Sequence, residues 1–408
     1  MTKLNQNVEV ENSTELQTFN VEVGADAGNS TIKIMIGGHW KKHEFFMYDN
    51  VTAKSDEVDY TFDDNDETEL KNMLDVTITS NNAVGNRFLF GEFAKKYRKT
   101  LSERVNNKKT QDPQLHLSTL TAIASSVVEK ALNEETDLED EIVINVKMCT
   151  GLPYEEWKND NNRDRYKNLY LGTHIVEFEN KKYPIRKAIL NINDVDVEIE
   201  GLPALKAALG ANKFADQFDS KEELIGGVVA MVDIGCYTTD MIGGIYEEVG
   251  QDGDDIKLGI KNRANLCTGM SIGVGTAAER TIKDIINEYP HISDLKISDI
   301  FKANMSQKKI IQGKRKSIEP FFSDNCYNIG KEIGTKFVGL FDTNGYKESL
   351  YHIYICGGGS QIPSIIQGFK DILSELRYDT EYIPVEILER PNPVHANTFG
   401  YYLTAKFK

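Results

Sequence analysis

The chain has 408 residues, 40% of them hydrophobic and 9% aromatic, enough to build packed cores in roughly two to four domain-sized units. Its 47 basic and 63 acidic residues leave a net charge of −16, which argues against direct, non-specific DNA binding and against a basic membrane-surface protein. No apolar run reaches the roughly 18 residues of a membrane span, and the polar, acidic residues 1–19 do not read as a signal peptide.

Residues 1–19 read as a flexible tail. A strand (FNVEV), a turn (GADAGNST) and a second strand (IKIMIGG) follow. Residues 56–69 carry eight acids in fourteen positions and read as a solvated loop. Leu120, Ile123, Ala124, Val127, Val128 and Ala131 recur at helical spacing. An acidic loop at 133–141 leads into a buried strand at 142–148, which runs into Thr150-Gly151-Leu152-Pro153. A strand pair is expected at 173–179 and 182–192. Val195, Val197 and Ile199 then alternate with acids as a half-buried strand. A helix at 204–209 can end at Gly210. Strands are expected at 228–234, 240–249 and 256–263, and a helix at 276–288. Residues 302–316 are rich in Lys and Arg. An apolar strand at 351–356 precedes three glycines, and Pro363 fits a helix start. Strands and helices alternate, so the fold class is α/β.

The five cysteines, Cys149, Cys236, Cys267, Cys326 and Cys356, are widely spaced with no C-x-x-C pair. This indicates neither a disulfide framework nor a zinc site, and it fits a reducing cytosol. The seven histidines form no metal-like i, i+4 pair: His39 and His43, though four positions apart, read with His116 as surface or packing residues. No Ser-His-Asp grouping can be inferred.

One pattern occurs twice. Asp26-Ala27-Gly28-Asn29-Ser30-Thr31-Ile32-Lys33 and Asp233-Ile234-Gly235-Cys236-Tyr237-Thr238-Thr239-Asp240 each place an acid at the end of an apolar strand. A glycine and hydroxyl-bearing residues follow in a tight turn. Successive N–H groups in such a turn can bind a phosphate oxygen. The acid would repel phosphate, so it makes sense as a holder of Mg²⁺, usually through water. Lys33 could bring a positive charge to the β- or γ-phosphate. A third element, Gly357-Gly358-Gly359-Ser360, sits at the carboxyl end of a strand, where ligands bind in open α/β sheets. Without side chains there, a base and sugar can lie on backbone. Gly269, Met270 and Ser271 could add further backbone contacts to the same nucleotide.

Two Asp-x-Gly turns followed by a Gly-Gly-Gly turn resemble the actin, heat-shock chaperone ATPase and sugar kinase superfamily, and more closely the plasmid-partition actins of the ParM type. Thr150-Gly-Leu-Pro153, Val195 to Leu205 and Asn392-Pro-Val-His-Ala-Asn-Thr-Phe-Gly400 extend the likeness from about residue 20 to the C-terminus. Cys236-Tyr237 stands where the family often has small Gly or Thr residues. The resemblance implies an actin-like fold of two duplicated domains around a nucleotide cleft, each with an inserted smaller subdomain. The expected division is a tail at 1–19, domain I at 20–200 with an insert at about 38–105, domain II at 201–375 with an insert at about 280–325, and a return to domain I at 376–408.

The resemblance also implies roles. Asp26 and Asp233 would organise Mg²⁺. Gly28, Asn29, Ser30 and Lys33 would contact phosphate, and Gly235, Thr238 and Thr239 would close from the other side. In actin-like proteins a Glu or Gln upstream of the second turn orients the attacking water. Glu200 matches best, which makes Glu200 and Asp233 the catalytic candidates. Asp194, Asp196 and Glu198 alternate on the same strand, so spacing alone leaves Glu198 and Glu200 both open. The implied function is a nucleotide-dependent polymerising ATPase or GTPase in the bacterial cytosol. It would segregate plasmid DNA through a centromere-binding adaptor of the ParR type, as the negative charge requires. The alternatives are a small-molecule kinase or a chaperone-like ATPase of the same superfamily. Acidic stretches at 56–69 and 134–141 and basic ones at 95–109 and 302–316 could meet between subunits.

Overall fold

The computed structural model describes residues 16–54, 69–81, 83–97, 101–103, 108–135, 137–181, 183–211, 221–252, 255–292, 294–306, 308–311, 313–314, 316–319, 321–376, 378, 382–389 and 392–408. The acidic stretch 56–69 lies outside them apart from Glu69, and so does the expected tail as far as residue 15. The rest of that tail is not loose. Gln17 already belongs to the first strand, and Phe19 is fully buried in the core.

The first half runs β1 (Gln17–Ala27), β2 (Thr31–Gly38), β3 (Glu44–Asp49), β4 (Val51–Lys54), β5 (Leu74–Ser80), β6 (Ala83–Phe90), α1 (Glu92–Lys95), β7 (Leu101–Glu103), α2 (Pro113–Glu134), β8 (Glu141–Leu152), α3 (Tyr154–Trp157), α4 (Asp160–Tyr170), β9 (Gly172–Phe178) and β10 (Lys187–Ile199). These strands form one ten-stranded sheet in the order β3-β2-β1-β8-β10-β9-β5-β6-β4-β7. The central pairs β1–β8 and β8–β10 are parallel and buried, as parallel strands must be. The expected breaks differ in one place. Residues 187–199 form one strand, and the anticipated interruption is a register shift between Ile192 and Asp194.

Helix α2 starts seven residues before the first periodic leucine. Pro113 fills its first turn, and Asp112 caps it by accepting the Leu115 N–H at 2.9 Å. Thr119, Thr121 and Ser126 donate to the carbonyls four residues back, so polar positions are buried all round the helix. That burial on every side hides its start from a one-faced periodicity.

The second half runs α5 (Leu202–Ala208), β11 (Val228–Ile234), β12 (Thr239–Asp252), β13 (Asp255–Asn262), β14 (Thr268–Met270), α6 (Val274–Glu288), α7 (Ile297–Met305), β15 (Ile310–Ile311), β16 (Lys316–Ser317), α8 (Phe321–Thr343), β17 (Leu350–Cys356), α9 (Pro363–Glu375), β18 (Val385–Ile387) and α10 (Ala396–Lys406). Its sheet is ordered β13-β12-β11-β17-β18, with β14 on β12. Helix α7 and the β15–β16 hairpin, a sheet of its own, stand between α6 and α8. Strand β18 pairs with β17, so the chain is still in the second sheet at Ile387 and crosses back later than residue 376. Helix α10 then packs Tyr402 and Leu403 against Met35, and Tyr401 against Cys149, on the first sheet. A shared core joins the halves: Ile199, Leu202 and Leu205 pack with Val229, Met231 and Tyr354. All five cysteines are free thiols, four of them buried. Among the described residues no helix is long and apolar enough to cross a membrane.

Candidate functional site

The first turn joins β1 to β2. Asp26 lies directly opposite Lys33 across the hairpin, and Lys33 Nζ donates to Asp26 Oδ2 at 2.8 Å. The Gly28 N–H donates to the Thr31 carbonyl at 2.9 Å and closes the turn. Asn50, which the sequence reading did not single out, braces it from outside. Its amide donates to the Gly28 carbonyl at 2.7 Å and its backbone N–H to the Ser30 carbonyl at 2.9 Å. The Asn29 Oδ1 atom is buried without a hydrogen-bond partner. Burial alone would raise the Asp26 pKa, but the ammonium groups of Lys33 and Lys109 outweigh it and hold the carboxyl below its usual range.

The second turn repeats the design between β11 and β12. The Gly235 N–H donates to the Thr238 carbonyl at 2.8 Å. The start of α6 docks onto this turn: the Val274 and Gly275 N–H groups donate to the Gly235 and Cys236 carbonyls at 3.2 and 2.6 Å. The Tyr237 ring lies over Gly275, and a Cβ there would come within 2.8 Å of it. The tyrosine is thereby turned onto α6. Thr239 is fully buried and donates to the Ile272 carbonyl at 2.9 Å, so it braces the turn from behind. The Cys236 thiol is in hydrogen-bonding contact with the Ser30 side chain, which brings the two turns together. Burial pushes the Asp233 carboxyl above its usual range, and the nearby Asp26 charge adds to this. Lys33, Asn397 and Cys356 offset only part of the shift.

The glycine turn meets this second acid. Gly357 has φ +82°, and a Cβ on it would fall 2.3 Å from Asp233 Oδ1, so only glycine fits. Ser360 is buried and its hydroxyl donates to the Gly357 carbonyl at 2.7 Å. Gly359 packs on Ile234, while Gly358 faces open space. Gly269 to Ser271 lie on the other side of β11. Gly269 and Met270 pair with Asp240 and Thr239 of β12, and Ser271 is exposed beside them. Met270 lines an open groove of about 720 Å³ along α8 with Lys331, Thr335 and Lys336.

The strand-end acids separate cleanly. Asp194 and Asp196 accept from Lys408 at 2.6 and 2.9 Å, and Glu198 accepts from Lys206 at 3.0 Å. Glu200 instead sits past the end of β10, is 7% exposed, and forms an ion pair with Lys109. Burial pushes its pKa up to about 7; Asp26 and Asp233 add to that, against the pull of Lys109. Lys109 is itself held. Its N–H and that of Thr110 donate to the two Glu156 carboxylate oxygens at 2.9 and 3.0 Å, and the Thr110 hydroxyl adds a bond of 2.7 Å. Glu156 lies on α3, just after Thr150-Gly-Leu-Pro153. The sequence reading placed Lys109 in a basic surface stretch. Its run of lysines gives no local sign that one turns inward.

Asp240 is a second missed residue. It is 1% exposed, accepts the Tyr154 N–H at 3.1 Å, and burial with Glu200 nearby holds it well above the usual carboxylate range. Among the described residues no group of three or more His, Cys, Asp or Glu side chains is gathered to hold a metal alone. Two neighbouring carboxylates and the unpartnered Asn29 Oδ1 fit instead a hard cation that keeps waters and shares phosphate oxygens.

Residues 24–202 match the family model for the N-terminal domain of actin-like proteins. No curated protein matches the chain at the level of sequence. Three solved structures carry the fold across nearly the whole chain. A 15-stranded ParM filament from Clostridium botulinum has TM-score 0.69 at 16% identity, covering 96% of this chain and 100% of that one. The actin-like protein Alp7A has TM-score 0.67 at 15% identity, covering 95% and 97%. Bacillus thuringiensis ParM with ATP has TM-score 0.57 at 17% identity, covering 95% and 98%. Nearly the whole chain has the actin-like α/β fold of these structures, and residues 24–202 are the part that matches the actin-like N-terminal model.

Proposed function

We propose that this chain is a nucleotide-dependent, filament-forming ATPase or GTPase of the plasmid-partition type. The observation that carries the reading is the convergence of two Asp-x-Gly hairpin turns on a buried glutamate, with Lys33 and Lys109 between the acids. Gly28, Asn29, Ser30 and Lys33 hold the phosphates from one side. Gly235 and Thr238 hold them from the other, and Thr239 stiffens that turn. The nucleoside lies against Gly357 to Ser360, with Gly269 to Ser271 as the further backbone. Asp26 and Asp233 would hold Mg²⁺, which when bound would supply positive charge against the transferring phosphoryl group. Glu200 orients the attacking water and accepts its proton late, a task suited to a carboxyl with a pKa of about 7. Lys109 keeps that carboxyl fixed and ionisable.

Nucleotide favours the closed arrangement that polymerises, and loss of the γ-phosphate favours disassembly. Likeness to a 15-stranded ParM filament supports self-association. With a net charge of −16, DNA is reached through a centromere-binding adaptor, in the cytosol. Light scattering and pelleting of purified protein with Mg-ATP or Mg-GTP test this. A nucleotide-dependent polymer is expected. Sugar-dependent nucleotide consumption without polymer would favour the kinase reading.

A further inference from the structure

We infer that Asn397 is a positioning residue that ties the water-orienting glutamate to the second cleft aspartate across the two halves of the molecule. The inference rests on the proposed function. Asn397 is the second residue of α10 and is 7% exposed. Helix α10 is pinned to the first half, where the Thr398 carbonyl and Tyr402 backbone press directly on Gly24 of β1. Its Asn397 side chain reaches out of that half in two directions. Oδ1 accepts the Gly201 N–H at 3.0 Å, and Nδ2 donates to Asp233 Oδ2 at 2.6 Å. Gly201 is joined by one peptide bond to Glu200. A single amide therefore fixes the peptide behind Glu200 and one oxygen of Asp233 at once.

The chemistry needs an amide here. Gly201 offers a donor and Asp233 an acceptor, and a carboxamide answers both with no charge. Asp233 already faces Asp26 from β1, Glu200 from the turn before α5, and Asp240 from β12. Lys33 from β2 and the Cys356 thiol from β17 lie on it too. One more anion would crowd this set; a donor relieves it. The amide is the link that joins the Asp233 carboxylate to the peptide behind Glu200.

Asn397→Asp and Asn397→Ala test this. Asn397→Asp keeps the shape and the acceptor for Gly201 but replaces the donor to Asp233 with a carboxylate. At pH 8 it should lower kcat about 10- to 100-fold. It should raise the Mg²⁺ concentration needed for fluorescent-ATP binding by a similar factor, and leave binding in EDTA within about twofold of the unsubstituted chain. Asn397→Ala removes donor and acceptor together and should show the same loss. If Asn397→Ala does not fold, the Mg²⁺ dependence of fluorescent-ATP binding in Asn397→Asp carries the test alone. Unchanged Mg²⁺ demand and kcat in Asn397→Asp would overturn the role of Asn397, and so would an equal loss of binding in EDTA. An unsubstituted chain that binds no Mg-nucleotide would overturn the functional reading itself, together with this role.

Discussion

The two Asp-x-Gly turns share a backbone and differ in charge. In the first, Asp26 lies opposite Lys33 across β1 and β2; in the second, Asp233 lies opposite Asp240 across β11 and β12. Opposite charges directly across a hairpin stabilise it, and like charges oppose it. Lys33 helps hold Asp26 below the usual carboxylate range against its burial, whereas burial raises both Asp233 and Asp240 above it, with Asp26 adding to the first and Glu200 to the second. The geometry is repeated while the electrostatics are not. The first half arrives with its acid already compensated. The second arrives with an acid that burial and Asp26 hold above its usual range. Mg²⁺ should therefore act most strongly on the second half.

The largest effect that could sharpen this contrast is at the glutamate between the turns. Glu200→Gln should slow phosphate release about 100-fold or more, while nucleotide-dependent pelleting persists. Filaments that release phosphate at the normal rate would move the water-orienting role elsewhere. Lys33→Met should weaken nucleotide binding by roughly tenfold, because one charge is lost beside both turns, and titration of Asp26 should move upward. Lys109→Met acts through Glu200. In the unsubstituted chain kcat/KM should fall as pH drops through about 7, because protonated Glu200 cannot accept from water. Without the lysine that limb should move to higher pH, and an unmoved limb would break the pairing.

The smallest effect concerns stability. A carboxyl whose pKa is raised by folding favours the fold below its unfolded pKa, and that advantage is lost as pH rises through the folded value. Asp240→Asn should therefore raise the nucleotide-free melting temperature at alkaline pH, by about 1 to 3 kcal/mol of stability, with the gain fading in acid.

What the sequence revealed was local. An acid at a strand end followed by a glycine marks a turn, and both hairpins and the Gly357 turn were legible from that. Glu200 could be found only as one of two glutamates on alternate positions. The choice came from Lys206 and Lys109 approaching from different elements. Lys109, Asp240, Asn50 and Asn397 escaped for one physical reason. Each owes its role to a partner on another element, from 22 to 196 positions away, and nothing in its own neighbourhood differs from a surface residue. The start of α2 escaped because its hydroxyls satisfy themselves on the preceding turn, so polar residues sit in the core.

The central claim is that the two turns close on a Mg-nucleotide, with the partly compensated acid of the second turn as the main point of Mg²⁺ dependence. Titration calorimetry of ATP and GTP, with Mg²⁺ and with EDTA, tests it on the unsubstituted chain and on Asp233→Asn. The account predicts binding of one of the nucleotides that tightens with Mg²⁺ and loses about 10- to 100-fold of that gain in Asp233→Asn. Equal affinity with and without Mg²⁺, unchanged by Asp233→Asn, would contradict it.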